Sequence, residues 1–145
     1  MSRFIKDTDY AVLIRNEIKN ILLENYSETK LLSAELMAIA QIKNYLAGRY
    51  NVATIFTPSD GVTDDRNAFI VMITIDCALY HLYCSIAPNK IPEHRSNRYQ
   101  DALDWLKGML EPNKTADLPL LTNDSGETKG TVRISSNNKS SNNKW

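Results

Sequence analysis

An all-α fold is what this sequence predicts: a small four-helix bundle with an irregular loop and an extended polar C-terminal tail. Three observations predict it. Apolar residues recur at helical spacing in four segments between Thr8 and Leu110. The stretch from Ala68 to Ala87 is apolar with no turn signal, too long for a typical strand of about 5–6 residues. Past Leu121 the composition turns polar and repetitive. Pro112 divides the chain into a helical domain, residues 1–112, and a tail, residues 113–145.

The first helix is expected to begin at Thr8, a capping residue type, and to present Tyr10, Leu13, Ile14, Ile18, Ile21 and Leu22 on the face that also carries Glu17. Tyr26-Ser27-Glu28-Thr29-Lys30 reads as a connection. The second helix is expected after Ser33 and runs through Leu36, Ile39, Ala40, Lys43, Leu46 and Tyr50, with Gly48 loosening its end. Asn51 to Arg66 reads as irregular. Val52-Ala53-Thr54-Ile55-Phe56 has strand-type residues, but Pro58 and Gly61 stop a long strand, and Asp60-Gly61 suits a hairpin turn. Asp64 and Asp65 would then favour the positive end of the third helix, from Arg66 to Ala87.

That third helix is apolar almost all round, so it must be covered on several sides. It is long enough to raise the question of a membrane span. Asp76 and His81 near its middle, with Thr74 and Ser85, favour a buried core helix instead. Pro88 to Ile91 closes it, and Pro92 suits the first turn of the fourth helix. There Tyr99, Ala102, Leu103, Leu106 and Leu110 share a face, with Trp105 beside it. Glu93, Arg95, Arg98, Gln100, Asp101 and Lys107 are expected to point outward.

In the tail, Asp124 to Glu127 reads as a turn and Thr131 to Ser135 alternates like a short strand. Ser136 to Lys144 is low-complexity and too polar to order itself.

Composition excludes several function classes. Lys+Arg and Asp+Glu both number 17, so there is no global field for nucleic acid or for a cation store. The N-terminus has no apolar run of the kind a signal peptide needs. Cys77 and Cys84 are the only cysteines. Seven residues apart on one helix they are about 10 Å from each other, beyond disulfide reach, which suits a reducing cytoplasm.

Candidate chemistry is sparse. Cys77, His81 and Cys84 share a helical face, but the outer two are too far apart for one zinc sphere, and a buried stripe is the simpler reading. Asp60, Asp64 and Asp65 hint at a calcium loop, yet the twelfth position is Val71 where that loop needs Glu, so a solvated loop is expected. No phosphate-binding glycine loop, nucleophile elbow or paired-histidine helix is present, and neither an enzyme activity nor a cofactor is expected. Asp76 is the sharpest residue. A carboxylate in an apolar helix needs a partner, and Arg49 at the end of the second helix is the expected one, in a structural ion pair. From Thr131 onward the charged residues are Arg133, Lys139 and Lys144, with no acid. With Ile134 and Trp145 they make the tail a candidate docking segment.

Two stretches carry a family resemblance. The first runs from Ala34-Glu35-Leu36 to Tyr45-Leu46-Ala47-Gly48-Arg49-Tyr50, similar to an alanine-rich helix ending in "Y-L-A-G-R-Y". The second begins Ile75-Asp76-Cys77-Ala78-Leu79-Tyr80-His81-Leu82-Tyr83, resumes at Pro92 and continues through Arg98-Tyr99-Gln100-Asp101-Ala102-Leu103-Asp104-Trp105-Leu106-Lys107, similar to "D-x-A-x-Y-x-L-Y" and "R-Y-x-D-A-L-x-W-L" helices in that order. The chain thereby resembles the Mu-like prophage head–tail adaptor family of phage connector proteins, over roughly residues 8–111. Three features depart from the family pattern: the acidic loop Thr54–Arg66, Pro112-Asn113 where a glycine often follows the last helix, and the tail from Asn123.

The resemblance implies a virion protein made in the host cytoplasm and placed at the neck. There it would form a ring, typically dodecameric, on the portal. Its implied partners are its own copies, the portal and neighbouring tail proteins, with genomic DNA passing through the ring and no membrane. The competing expectation is a helical DNA-binding or regulatory protein that uses the basic tail, opposed by the zero net charge and by the lack of a helix rich in Arg, Asn or Gln.

Overall fold

The computed structural model describes residues 3–13, 28–86 and 88–122. Among these the chain is mostly helical and holds no sheet. Its helices are α1 (Asp7–Leu13), α2 (Glu28–Leu46), α3 (Val52–Ile55), α4 (Ala68–Ile86) and α5 (Glu93–Gly108), with a 3₁₀ turn at Pro88–Lys90. Among the described residues, five α-helices therefore stand where four were expected. The extra one, α3, is a single turn in the stretch expected to be irregular. Asn51 caps it by accepting a hydrogen bond from the Thr54 amide (3.2 Å), so local capping overrides the strand-type residues there.

α4 is the centre. It packs most extensively on α2 and next on α5, while α2 and α5 touch each other only slightly. Its residues from Ile73 to Leu79 are buried without interruption, which explains a sequence apolar on all sides. By length and composition α4 could cross a membrane; 56 % of that span is already buried inside this domain. Thr74, buried in α4, donates its hydroxyl to the Ile70 carbonyl (2.6 Å), which satisfies that polar group inside the core. From α2, Leu31, Ala34, Ala38, Ile42 and Leu46 face α4 at the 3-4 spacing of a single stripe, and Ala102 and Leu106 come from α5.

Helix limits differ from expectation for local reasons. α2 starts at Glu28, so Ser33 lies inside the helix and caps nothing. α1 starts at Asp7, where the Lys6 amide donates to the Asp9 carboxylate (2.7 Å), and Thr8 is inside it. The rest of the expected first helix lies outside the described residues. α4 is capped by Asn67, whose side-chain oxygen accepts from the amides of Phe69 (3.0 Å) and Ile70 (3.1 Å). Asp64 does not serve that end, because it is held by Arg66. Asp60-Gly61 forms a turn without a hairpin. The Asp60 carboxylate accepts from the amides of Val62 (2.8 Å) and Thr63 (3.0 Å), and Gly61 sits at φ 90°.

The chain after α5 also departs from expectation. Residues 113–122 were assigned to the tail, but 114–121 return to the helical domain. Tyr50 and Leu120 form an isolated antiparallel bridge. The Asn51 amide donates to the Pro119 carbonyl (2.8 Å) and the Leu121 amide to the Arg49 carbonyl (3.0 Å). The buried Tyr50 hydroxyl accepts from the Ala116 amide (2.8 Å), and Ala116 and Leu118 pack on the core. Tyr50→Phe should therefore lower stability by about 1 kcal/mol in urea unfolding and speed amide exchange across residues 116–121. Unchanged exchange there would show that the Tyr50 hydroxyl does not hold the segment.

Candidate functional site

Among the described residues, buried charged groups come together around Asp76, at mid-height of α4, where Arg95 is buried beside it. The Asp76 side chain is 3 % exposed. A carboxylate so placed is stable only with cations and hydrogen bonds around it. α5 provides both. Arg98 donates from Nε to Oδ1 (2.9 Å) and from Nη2 to Oδ2 (2.9 Å), a bidentate fork, and Arg95 Nη1 approaches Oδ1 at 3.4 Å. Burial pulls the Arg95 guanidinium below its ordinary value, while the bond to Asp76 holds Arg98 above it. Both remain cations at neutral pH.

This corrects two expectations. Asp76 does pair, but not with Arg49. Arg49 instead donates to the carbonyls of Lys114 and Glu111 (3.3 Å for the latter), fastening the chain that follows α5. And Arg95 and Arg98 do not point outward. Arg95 is buried, and Arg98, Ala102 and Leu106 continue the same stripe toward α4. The spacing 95, 98/99, 102 and 106 was the available signal; the charge of the residues obscured it. Leu110, expected on that face, is exposed past the helix end.

A second polar network adjoins it on the α2 side. Gln41 donates from Nε2 to the Tyr99 hydroxyl (2.9 Å), which leaves its Oε1 to accept from His81 Nε2 (2.9 Å). The histidine is thereby set as the Nε2–H tautomer. Tyr80 stacks on Tyr99 with ring centroids 4.0 Å apart and planes 2° from parallel. Burial lowers the His81 pKa, so the ring resists protonation. Cys77 is buried and Cys84 exposed, so the Cys77–His81–Cys84 stripe is divided between core and surface. Burial pushes the Cys77 thiol up to about 12, which keeps it protonated and unreactive. No group of three His, Cys, Asp or Glu side chains is placed to share a metal ion among the described residues.

Two further polar clamps hold the N-terminal segment, and sequence reasoning missed both. Glu35, buried on α2, accepts from Arg3 Nη2 (2.5 Å) and from the Tyr10 hydroxyl (2.5 Å). Arg66 bonds the Phe4 carbonyl (2.6 Å), both oxygens of Asp9 (2.7 and 3.1 Å) and both oxygens of Asp64 (2.7 and 2.6 Å). The Arg66 guanidinium holds the Asp64 carboxyl far below the usual carboxylate range. For Asp9 burial opposes ionisation, but the bonds from Arg66 and Lys6 outweigh it. In the acidic loop, then, Asp60 bonds backbone and Asp64 bonds Arg66, and neither oxygen set is turned toward a shared centre.

The tail residues Arg133, Ile134, Lys139, Lys144 and Trp145 lie outside the described residues. Comparison with protein-family models, with curated proteins and with solved structures gives no match to this chain.

The His81 environment has a pH consequence. A folded-state pKa below the ordinary histidine value of about 6.5 means that the unfolded chain takes up the proton first. Stability that is full above that value should fall as pH drops through it toward the folded pKa. Urea midpoints at pH 7.5 and 5.5 should therefore separate in the parent chain and converge in His81→Gln. An equal drop in both would place the sensitivity elsewhere.

Proposed function

We propose that this chain is a structural subunit of a bacteriophage virion, a head–tail connector of the Mu-like adaptor type. On this reading it assembles as a ring on the portal and passes DNA through the channel. One observation supports the reading most. The residues that give the resemblance its pattern interlock with one another. Asp76, from the "D-x-A-x-Y-x-L-Y" helix, is forked by Arg98, from the "R-Y-x-D-A-L-x-W-L" helix. Tyr99 of the latter stacks on Tyr80 of the former. Arg49 and Tyr50, closing the "Y-L-A-G-R-Y" segment, fasten residues 111–121. A pattern spent on holding helices together is what an assembly subunit requires, since its work is shape and contact rather than turnover.

The surface of α2 supports self-association. Leu36 is 67 % and Met37 54 % exposed, and with Ala40 and Asn44 they form a stripe without charged residues over about two turns of the helix, turned away from α4, with Lys43 at its edge. Such a face fits the core of a subunit contact, where charge is depleted and Met favoured. In this proposal α1, α2, α4 and α5 are the four bundle helices, and α3 with the acidic loop is an insertion that carries partner specificity.

Sedimentation of the purified chain, alone and mixed with portal rings from the same genome, tests the reading. A ring-sized species on the portal is expected. Met37→Glu should abolish it while leaving the helical circular dichroism unchanged. A chain that stays monomeric and does not co-sediment with the portal contradicts the proposal.

A further inference from the structure

Arg66, at the end of the loop before α4, is shared between two acids. Its side chain is 4 % exposed. One fork is local. Nε and Nη2 donate to the two oxygens of Asp64, two residues back, at 2.7 and 2.6 Å. The other reaches the N-terminal segment. Nη1 donates to the Phe4 carbonyl (2.6 Å) and to Asp9 (2.7 Å), and Nη2 donates to the second Asp9 oxygen (3.1 Å). Asp9 and Asp64 therefore compete for one cation and repel each other across it.

The segment that carries Asp9 is held differently from the long helices. Among the described residues α1 packs extensively on none of α2, α4 and α5. Its anchors are side chains. Phe4, Ile5 and Tyr10 enter the core, and Arg3 and Tyr10 reach Glu35 on α2. Lifting the segment off strands no buried charge. Arg66 keeps the Asp64 fork, which lies within one loop. Arg3 keeps Asp7 (2.9 Å), and Asp9 keeps the Lys6 amide (2.7 Å), both within the segment. Glu35 loses Arg3 and Tyr10 but passes into water, where an ionised carboxylate needs no partner. Opening α4, by contrast, takes apart the apolar stripes of both α2 and α5.

We infer that residues 3–13 form a strap that opens as a unit while α2, α4 and α5 stay packed, with Asp64 alone holding Arg66 in the open form. The strap lies on Phe56, whose ring meets that of Phe4 edge to face at 4.9 Å, so opening uncovers an aromatic face that the closed form hides. The two acids then have opposite effects on the equilibrium. Asp9 draws Arg66 to the closed strap. Asp64 competes with Asp9 in the closed form and is the one partner of Arg66 left in the open form. The inference concerns the isolated chain and stands apart from the connector reading.

Amide hydrogen exchange on the full chain tests it. The amides of α1 should exchange at least about a hundredfold faster than those of Ile73 to Leu79 in α4. Arg98→Met weakens the core in the closed and open forms alike, so it should speed exchange in α4 and leave α1 unchanged. Asp9→Asn should speed exchange in α1 roughly tenfold. Asp64→Asn changes a side chain that is 49 % exposed and should slow α1 exchange, because the closed form still has Asp9 and the Phe4 carbonyl for Arg66 and the open form has neither. Three results overturn the inference. The first is equal exchange of α1 and α4 in the parent chain. The second is an Arg98→Met chain in which both speed up together. The third is faster α1 exchange in the Asp64→Asn chain, which would make Asp64 one more brace of a static cluster. The sedimentation outcome with portal rings affects none of these.

Discussion

The carboxylate of Asp76 inside α4 sets the terms for the rest of the domain. An ionised group at 3 % exposure is tolerable only if its charge is met on the spot, and here Arg95 and Arg98 from α5 meet it. Removing one partner of a buried pair costs about 3–5 kcal/mol, against a total stability of about 5–15 kcal/mol for a domain of this size. The net contribution of such a cluster relative to apolar residues can nonetheless be small. What it supplies is placement. A bidentate fork between Arg98 and Asp76 admits one rotation and one height of α5 against α4, where an apolar contact between two smooth stripes admits several. Once α5 is set, Tyr99 falls on Tyr80, and Trp105 on Phe69.

The same device recurs at the domain's other joins. Glu35 ties Arg3 and Tyr10 to α2, Arg66 ties Phe4 and Asp9 to the loop before α4, and Arg49 ties the chain after α5 to the end of α2. Each of these three arginines reaches across a large sequence separation and fastens an irregular segment, whereas Arg95 and Arg98 join a helix pair. The division of labour is physical. Helix faces hold by area, as α2 and α4 do through Ile42, Leu46, Ile73 and Leu79. The irregular segments add charged bonds to a smaller apolar anchor, Phe4 and Ile5 at the N-terminal end and Ala116 and Leu118 after α5. A zero net charge is compatible with this use, since several of these charges are consumed internally in pairs.

Periodicity made the long helices legible, because α2, α4 and α5 bury stripes or whole circumferences whose residues repeat at helical spacing. Helix limits were less so. Ser33 is a good cap by type, but the apolar stripe of α2 already includes Leu31, so tertiary packing extends the helix past it. α3 was hidden because Val52 and Ile55 favour strands in isolation, whereas the Asn51 cap decides the local outcome. The need of Asp76 for a cation was legible from its apolar setting; the identity of the cation was not. Arg95 and Arg98 carry charges that sequence reasoning sends to solvent, though their spacing puts them on the core stripe. Glu35 and Arg66 gave no comparable signal, because their partners Arg3, Tyr10, Phe4 and Asp9 lie far from them in the chain. The return of 114–121 onto Tyr50 depends on hydrogen bonds between backbones far apart in the chain, which no local pattern encodes.

The central claim is that Asp76 and Arg98 act as a unit that seats α5 on the core helix, and a double-mutant cycle measures it directly. Asp76→Asn, Arg98→Met and the combined variant should give a coupling energy above about 1 kcal/mol in urea unfolding. The matching cycle with Arg49→Met should stay within about 0.5 kcal/mol, as expected for sites that share no partner. Additive effects for Asp76 with Arg98, or strong coupling of Asp76 to Arg49, would contradict the account.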